Sequence, residues 1–139
     1  MKLITITILF FSFCAFSSIA QKVTVQSPNQ KISVALFPAG ANEGEWYLKV
    51  SYSNNGKVSE AIPHIDLGLS RADQDFSKEL KFIKAGKPVL VNEQYTALHG
   101  KKSACSNSAN EVVVSFENPS RAKLNVIIRA YNDGIAFRY

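Results

Sequence analysis

Helical periodicity is missing from this sequence, and so is a usable pair of cysteines. Beyond the apolar start, no stretch repeats apolar residues at the three- and four-residue spacing of an amphipathic helix. That excludes helix bundles and alternating α/β layouts. Two cysteines occur, Cys14 and Cys105. Cys14 lies in an apolar leader, so Cys105 is left without an intramolecular partner once the leader is removed. The fold must therefore rest on a hydrophobic core. Cys105 has Ser103, Ala104, Ser106 and Asn107 around it, and none of these activates a thiol.

Catalytic and cofactor motifs are equally scarce. His64 and His99 are far apart and, with no Asp or Cys read beside either, imply no metal site. There is no glycine-rich phosphate loop and no Ser, His and Asp spacing that argues a triad. Asp73, Asp75 and Glu79 make a D-x-D-x3-E run, but it lacks the central glycine and flanking helices of a calcium loop. It reads as a solvated loop, as do Glu43 and Glu45 beside Gly44. The formal net charge is +5, spread along the chain, with Lys101-Lys102 the densest pair. A nucleic-acid partner calls for a clustered basic stripe, so none is expected. No metal, cofactor or catalytic residue is expected within this chain.

What is present begins with an export signature. Lys2 precedes an apolar run from Leu3 to Phe16, and Ser18-Ile19-Ala20 supplies the small residues a signal peptidase reads. The run is shorter than the roughly 20 residues of a membrane span. Phe13 before Cys14 argues against lipidation. Residues 1–20 are expected to be a signal peptide cleaved after Ala20. Residues 21–139 are then one exported domain, periplasmic or secreted, with no membrane attachment after cleavage.

The mature part reads as a series of short strands separated by turns, the pattern of a sandwich or barrel. Val23 to Val25 opens it, and Ser27-Pro28-Asn29-Gln30 is a turn. Ile32, Val34 and Leu36 alternate with smaller residues, and Pro38 to Gly44 is expected to be a loop. Trp46, Leu48, Val50 and Tyr52 alternate with Tyr47, Lys49 and Ser51 in a strand of clear period two. Asn54-Asn55-Gly56 turns it back into Lys57 to Ile62. Ile65 to Leu69 is a short separate strand behind Pro63, and Ser70 to Lys78 is a loop. Weaker strands run at Leu80 to Ile83 and Val89 to Val91. Thr96 to Asn110 is the least structured region. Glu111 to Glu117 buries Val112, Val114 and Phe116. The fold class is all-β, an antiparallel β-sandwich. Trp46 and Tyr52 belong to its core, which leaves Tyr47 as the freer aromatic for sugar stacking.

The last eleven residues, RAYNDGIAFRY, are the most specific. Asp133-Gly134 is expected to form a two-residue hairpin loop with positive backbone angles, which a β-branched residue at Gly134 would resist. Tyr131 then pairs with Ala136, and Arg129 stands directly opposite Arg138. Ile128, Ala130, Ile135, Phe137 and Tyr139 form the inward face. The candidate binding residues are Arg129, Tyr131, Asn132, Asp133 and Arg138. The paired arginines serve either a recognition surface or salt bridges to the domain's own glutamates, because the guanidinium fork suits both.

Several segments in order resemble the N-terminal domain of glycoside hydrolase family 97. They are SPNQKISV from Ser27, WYLKVSY from Trp46, DLGLS from Asp66, HGKKS from His99, ANEVVVSF from Ala109, and RAYNDGIAFRY. In that family a glycine often stands at the place of Gln30. The resemblance implies a sandwich like that of galactose mutarotase, here truncated, with a catalytic (β/α)8 barrel downstream as its partner. It also implies an exported α-glucosidase or α-galactosidase that needs calcium and acts on α-linked oligosaccharides. Its catalytic carboxylates lie in the barrel, outside this chain. The sandwich is expected to support the sugar site and to be inactive alone. A free-standing exported carbohydrate-binding or protein-interaction module is the alternative.

Overall fold

A computed structural model describes residues 23–39, 44–100 and 103–139. The expected signal peptide lies outside the described residues, as do Glu43 and Lys101-Lys102. Nine strands are found: β1 (Val23–Gln26), β2 (Ile32–Ala39), β3 (Glu45–Asn54), β4 (Lys57–Leu67), β5 (Lys81–Ala85), β6 (Val89–Thr96), β7 (Ala104–Glu117), β8 (Lys123–Tyr131) and β9 (Ile135–Arg138). They form two antiparallel sheets, β1-β2-β3-β4 and β5-β7-β8-β9, with β6 also paired to β7. The described residues contain no helix. The all-β sandwich read from the sequence is what is observed.

Alternation decides which side chains meet between the sheets. On β3, Trp46, Leu48 and Val50 point inward and are buried. Val25, Val34 and Leu36 join them from the same sheet, and Val112, Val114, Phe116, Val126, Ile128 and Ala130 from the other. Trp46 lies against Phe116 and Phe82, with ring centroids 5.2 and 5.7 Å away. Its indole N–H donates to the Leu80 carbonyl at 2.8 Å. The polar end of this large core residue is thus satisfied, as burial requires.

Turn chemistry sets the first sheet. Asn55 and Gly56 both take positive φ, 49° and 78°, the two-residue geometry that matches strand twist. Ser27 to Gln30 closes the β1–β2 hairpin. The Ser27 hydroxyl donates to the Asn29 side-chain oxygen at 2.7 Å and accepts from the Ile32 N–H at 2.9 Å. Gln30 has φ 60°, which explains why a glycine suits its place.

Several expectations need correction. β2 runs on through Pro38 and Ala39, which pair with Trp46 and Glu45 instead of looping. β4 is continuous from Lys57 to Leu67. Pro63 is tolerated because β4 is an edge strand and the β3–β4 register shifts there, between Leu48↔Ile65 and Val50↔Ile62. Tyr52 is 37% exposed, lying toward the turn end of β3 and not in the core. Residues 104–110 are strand, since their alternation is masked by Ser and Asn but their backbone pairs with β6. On its other edge β7 pairs with β8 from Ala109 onward. Below that point β6 and β7 continue as a two-stranded ribbon.

The final hairpin is also two residues out of its expected pairing. Arg129 pairs with Ala136, and Ala130 with Ile135. The loop spans Tyr131 to Gly134, with the Tyr131 N–H donating to the Gly134 carbonyl at 2.8 Å. Gly134 does not take a positive φ, and a Cβ there meets nothing within 4 Å. The expected need for glycine is therefore wrong. The Asn132 side-chain oxygen instead accepts from the Asn29 N–H at 2.9 Å, so this loop is shaped by the β1–β2 turn. A shift of two residues leaves every side chain on its expected face. Ile128 and Ala130 are buried, Ile135 and Phe137 half-buried, and the Tyr139 hydroxyl accepts from the Gly68 N–H at 2.9 Å.

Candidate binding face at the β8–β9 hairpin

The outward face of the five-stranded sheet carries Arg129 and Tyr131 from β8 and Ala136 and Arg138 from β9. Arg129 and Arg138 lie diagonally, not directly opposite, because Arg138 pairs with Ile127. With Ala136 and Ile127 they line a cavity of about 190 Å³. Pockets that enclose a small ligand usually hold about 300–1,000 Å³. This hollow does not enclose a sugar by itself.

The two arginines have different environments. The Arg129 Nε donates to Glu111 at 2.6 Å, and its Nη1 to Glu93 at 2.8 Å and to the Tyr131 hydroxyl at 3.3 Å. One side chain thus ties β8 to β7 and β6. The Tyr131 hydroxyl and these two carboxylates push its pKa further above the ordinary arginine value. The salt-bridge alternative is the observed one for Arg129. Arg138 is exposed and has no ion pair among the described residues. Asn132 is occupied by Asn29, and Asp133 is exposed at the loop tip. Of the sequence-derived set, Arg129, Tyr131 and Arg138 line this hollow, Asn132 and Asp133 lie in the loop away from it, and Arg138 alone offers a free guanidinium.

Glu93 and Glu111 were not singled out from the sequence. They lie 18 residues apart, on strands whose pairing the run of Ser and Asn before Ala109 conceals. They are the carboxylates this fold brings closest to a pair on that face. Both are engaged by Arg129 on an open sheet surface, not across an enclosed cleft.

Other candidates are structural. Tyr47 stacks on His64 at 4.2 Å and on Phe37 at 5.5 Å, one ring from each neighbouring strand. Both faces of Tyr47 are covered, so it is not the free stacking platform expected. His64 is not isolated from carboxylates: it hydrogen-bonds Asp66 at 2.6 Å. Asp75 accepts from the Ser77 N–H at 2.9 Å, and the Ser77 side chain and backbone together lower its pKa. Nearby, Asn118 and Ser120 bind Gln74 at 2.9 and 2.7 Å. These contacts fasten the Ser70–Lys78 loop to the β7–β8 turn. Among the described residues no three His, Cys, Asp or Glu side chains are grouped so that they could hold a metal ion.

The profile of the family described as Glycosyl-hydrolase 97 N-terminal matches residues 25–139. The chain belongs to glycoside hydrolase family 97. No curated protein matches it. Among solved structures, the family 97 domain is similar to the crystal structure of a β-arabinopyranosidase, at 32% identity and a TM-score of 0.67. The match covers 84% of this chain and 18% of that one. The family 97 domain thus spans under a fifth of the length of the solved relative it matches.

Proposed function

We propose that this chain is the leading sandwich of an exported family 97 α-glycosidase, a support for the catalytic barrel and sugar site that does no chemistry alone. The observation carrying this reading is the family match along nearly all of the chain, joined to its small share of the solved relative. The structure adds a physical reason. Glycoside hydrolysis needs two carboxyl groups flanking the scissile bond. Here Glu93 and Glu111 are spent on Arg129, and the adjacent hollow is too small to hold a sugar with its leaving group.

Catalysis and calcium then belong to a downstream barrel, and α-linked glucosides or galactosides are its substrates. The relative's own name adds β-arabinopyranosides to the pyranosides worth testing. Arg138 and Tyr131, which line the same hollow, face that partner or the sugar. Export follows from the leader, with a mature N-terminus at Gln21.

Reading the gene beyond the codon for Tyr139 tests this directly. A continuous frame long enough for a barrel is the expected result. An immediate stop replaces this reading with the free-standing module.

A further inference from the structure

The β6–β7 ribbon is the least supported part of the molecule. From Asn92 to Thr96 and from Ala104 to Ser108 the two strands pair with each other, and no further strand among the described residues flanks them. An isolated two-stranded hairpin is marginal in water. Yet β6 and its turn carry Val89 (60% exposed), Leu90 (56%), Tyr95 (52%) and Leu98 (89%). That is four of the ten large apolar side chains recorded as exposed among the described residues. Such concentration on one element marks an interaction surface more than chance scatter does.

The base of the ribbon is fixed. Arg129 reaches from β8 across β7 to Glu93, which fastens β6 to the sheet at the point where the ribbon departs. Glu93 is the one charged side chain on the paired segments Asn92–Thr96 and Ala104–Ser108, and it is spent on Arg129. The rest of those segments offers amides, hydroxyls and an aromatic ring. Gln94, Tyr95, Thr96, Ala104, Cys105 and Ser106 line a hollow of about 410 Å³ open to the outside. A fixed base, an uncharged shaft, and Tyr95 and Leu98 toward the turn suit an arm that seats on an apolar protein surface.

We infer that this ribbon is a docking arm, and that its partner is the remainder of the family 97 polypeptide. The inference rests on the proposed membership in a longer enzyme. The share of the solved relative outside the match supplies the missing body. The partner surface is apolar where the paired segments of the arm reach it, because those segments bring it no unpaired charge. Tyr95 and Leu98 are its anchors.

The test replaces the matched segment of the β-arabinopyranosidase with residues 25–139 of this chain. Hydrogen exchange of the ribbon amides is compared between that chimera and the 139-residue chain. Exchange slowed by about tenfold or more in the chimera is expected, since protection follows local opening. Tyr95→Lys and Leu98→Lys should lower the chimera's melting temperature while leaving that of the 139-residue chain unchanged. Val58→Lys, on the other sheet, should change neither. Equal ribbon exchange in a cooperatively melting chimera overturns the docking arm and leaves the proposed supporting role standing. An unsubstituted chimera without cooperative melting removes both.

Discussion

Arg129 and Arg138 are the same residue type on the same face, and their surroundings separate them. Arg129 bridges two glutamates and is largely covered, so removing it leaves two carboxylates without their partner. Arg129→Ala should destabilise the chain by about 1–2 kcal/mol, less than a fully buried pair because a fifth of the side chain is exposed. Arg138→Ala should change stability by no more than about 0.5 kcal/mol, since it has no ion pair to lose. Thermal melts of both variants check this. Equal losses would mean that Arg138 has a partner within the chain. Asp75 gives a pH dependence of known sign. Its folded pKa is lowered by Ser77, so its contribution is present above the ordinary value of 3.8 and is lost as pH falls through the folded value. Ser77→Ala should remove part of that acid-side dependence in melts recorded from neutral pH downward.

At the scale of turns and strands, glycine matters where the backbone demands it. Gly44 has φ 126°, and a Cβ there would lie 2.4 Å from the Glu79 Cα. Its carbonyl also accepts from the Leu80 N–H at 2.8 Å, beside the Trp46 anchor. Gly44→Ala should cost about 2 kcal/mol or more, from strain and the displaced loop together. Gly134→Ala, with no such constraint, should cost no more than about 0.5 kcal/mol. Gln30→Gly should leave stability unchanged or raise it by up to about 1 kcal/mol, because it relieves a left-handed residue. Denaturant midpoints of the three variants decide the ranking. The contrast also shows what sequence reading reaches. Asn55-Gly56 was legible because two local residues specify that turn alone. Asp133-Gly134 misled because the loop is shaped by Asn29, 103 residues from Asn132. The period-two runs of β3, β7 and β8 were plain from Trp46, Val112 and Ile128. The ribbon was not, since Ser and Asn carry no apolar period when neither face is buried. The Arg129 network stayed hidden for the same reason: it needs the order of β6, β7 and β8.

On the scale of the whole molecule, the two sheets close a core around Trp46 and Phe116 and leave the chemistry on the outside. Polar side chains pair with one another across that outer surface, as Lys49 does with Glu60 and His64 with Asp66. Among the described residues, the exposed Arg138 of β9 and the β6–β7 ribbon both belong to the five-stranded sheet. The sandwich is proposed as a supporting domain that does no chemistry alone. The most direct measurement is turnover of nitrophenyl α-glucoside, α-galactoside and β-arabinopyranoside by the purified chain. No release above the protein-free blank is expected for any of the three. Turnover that disappears in Glu93→Gln or Glu111→Gln would contradict this, because the carboxylates assigned to Arg129 would then be acting on a sugar.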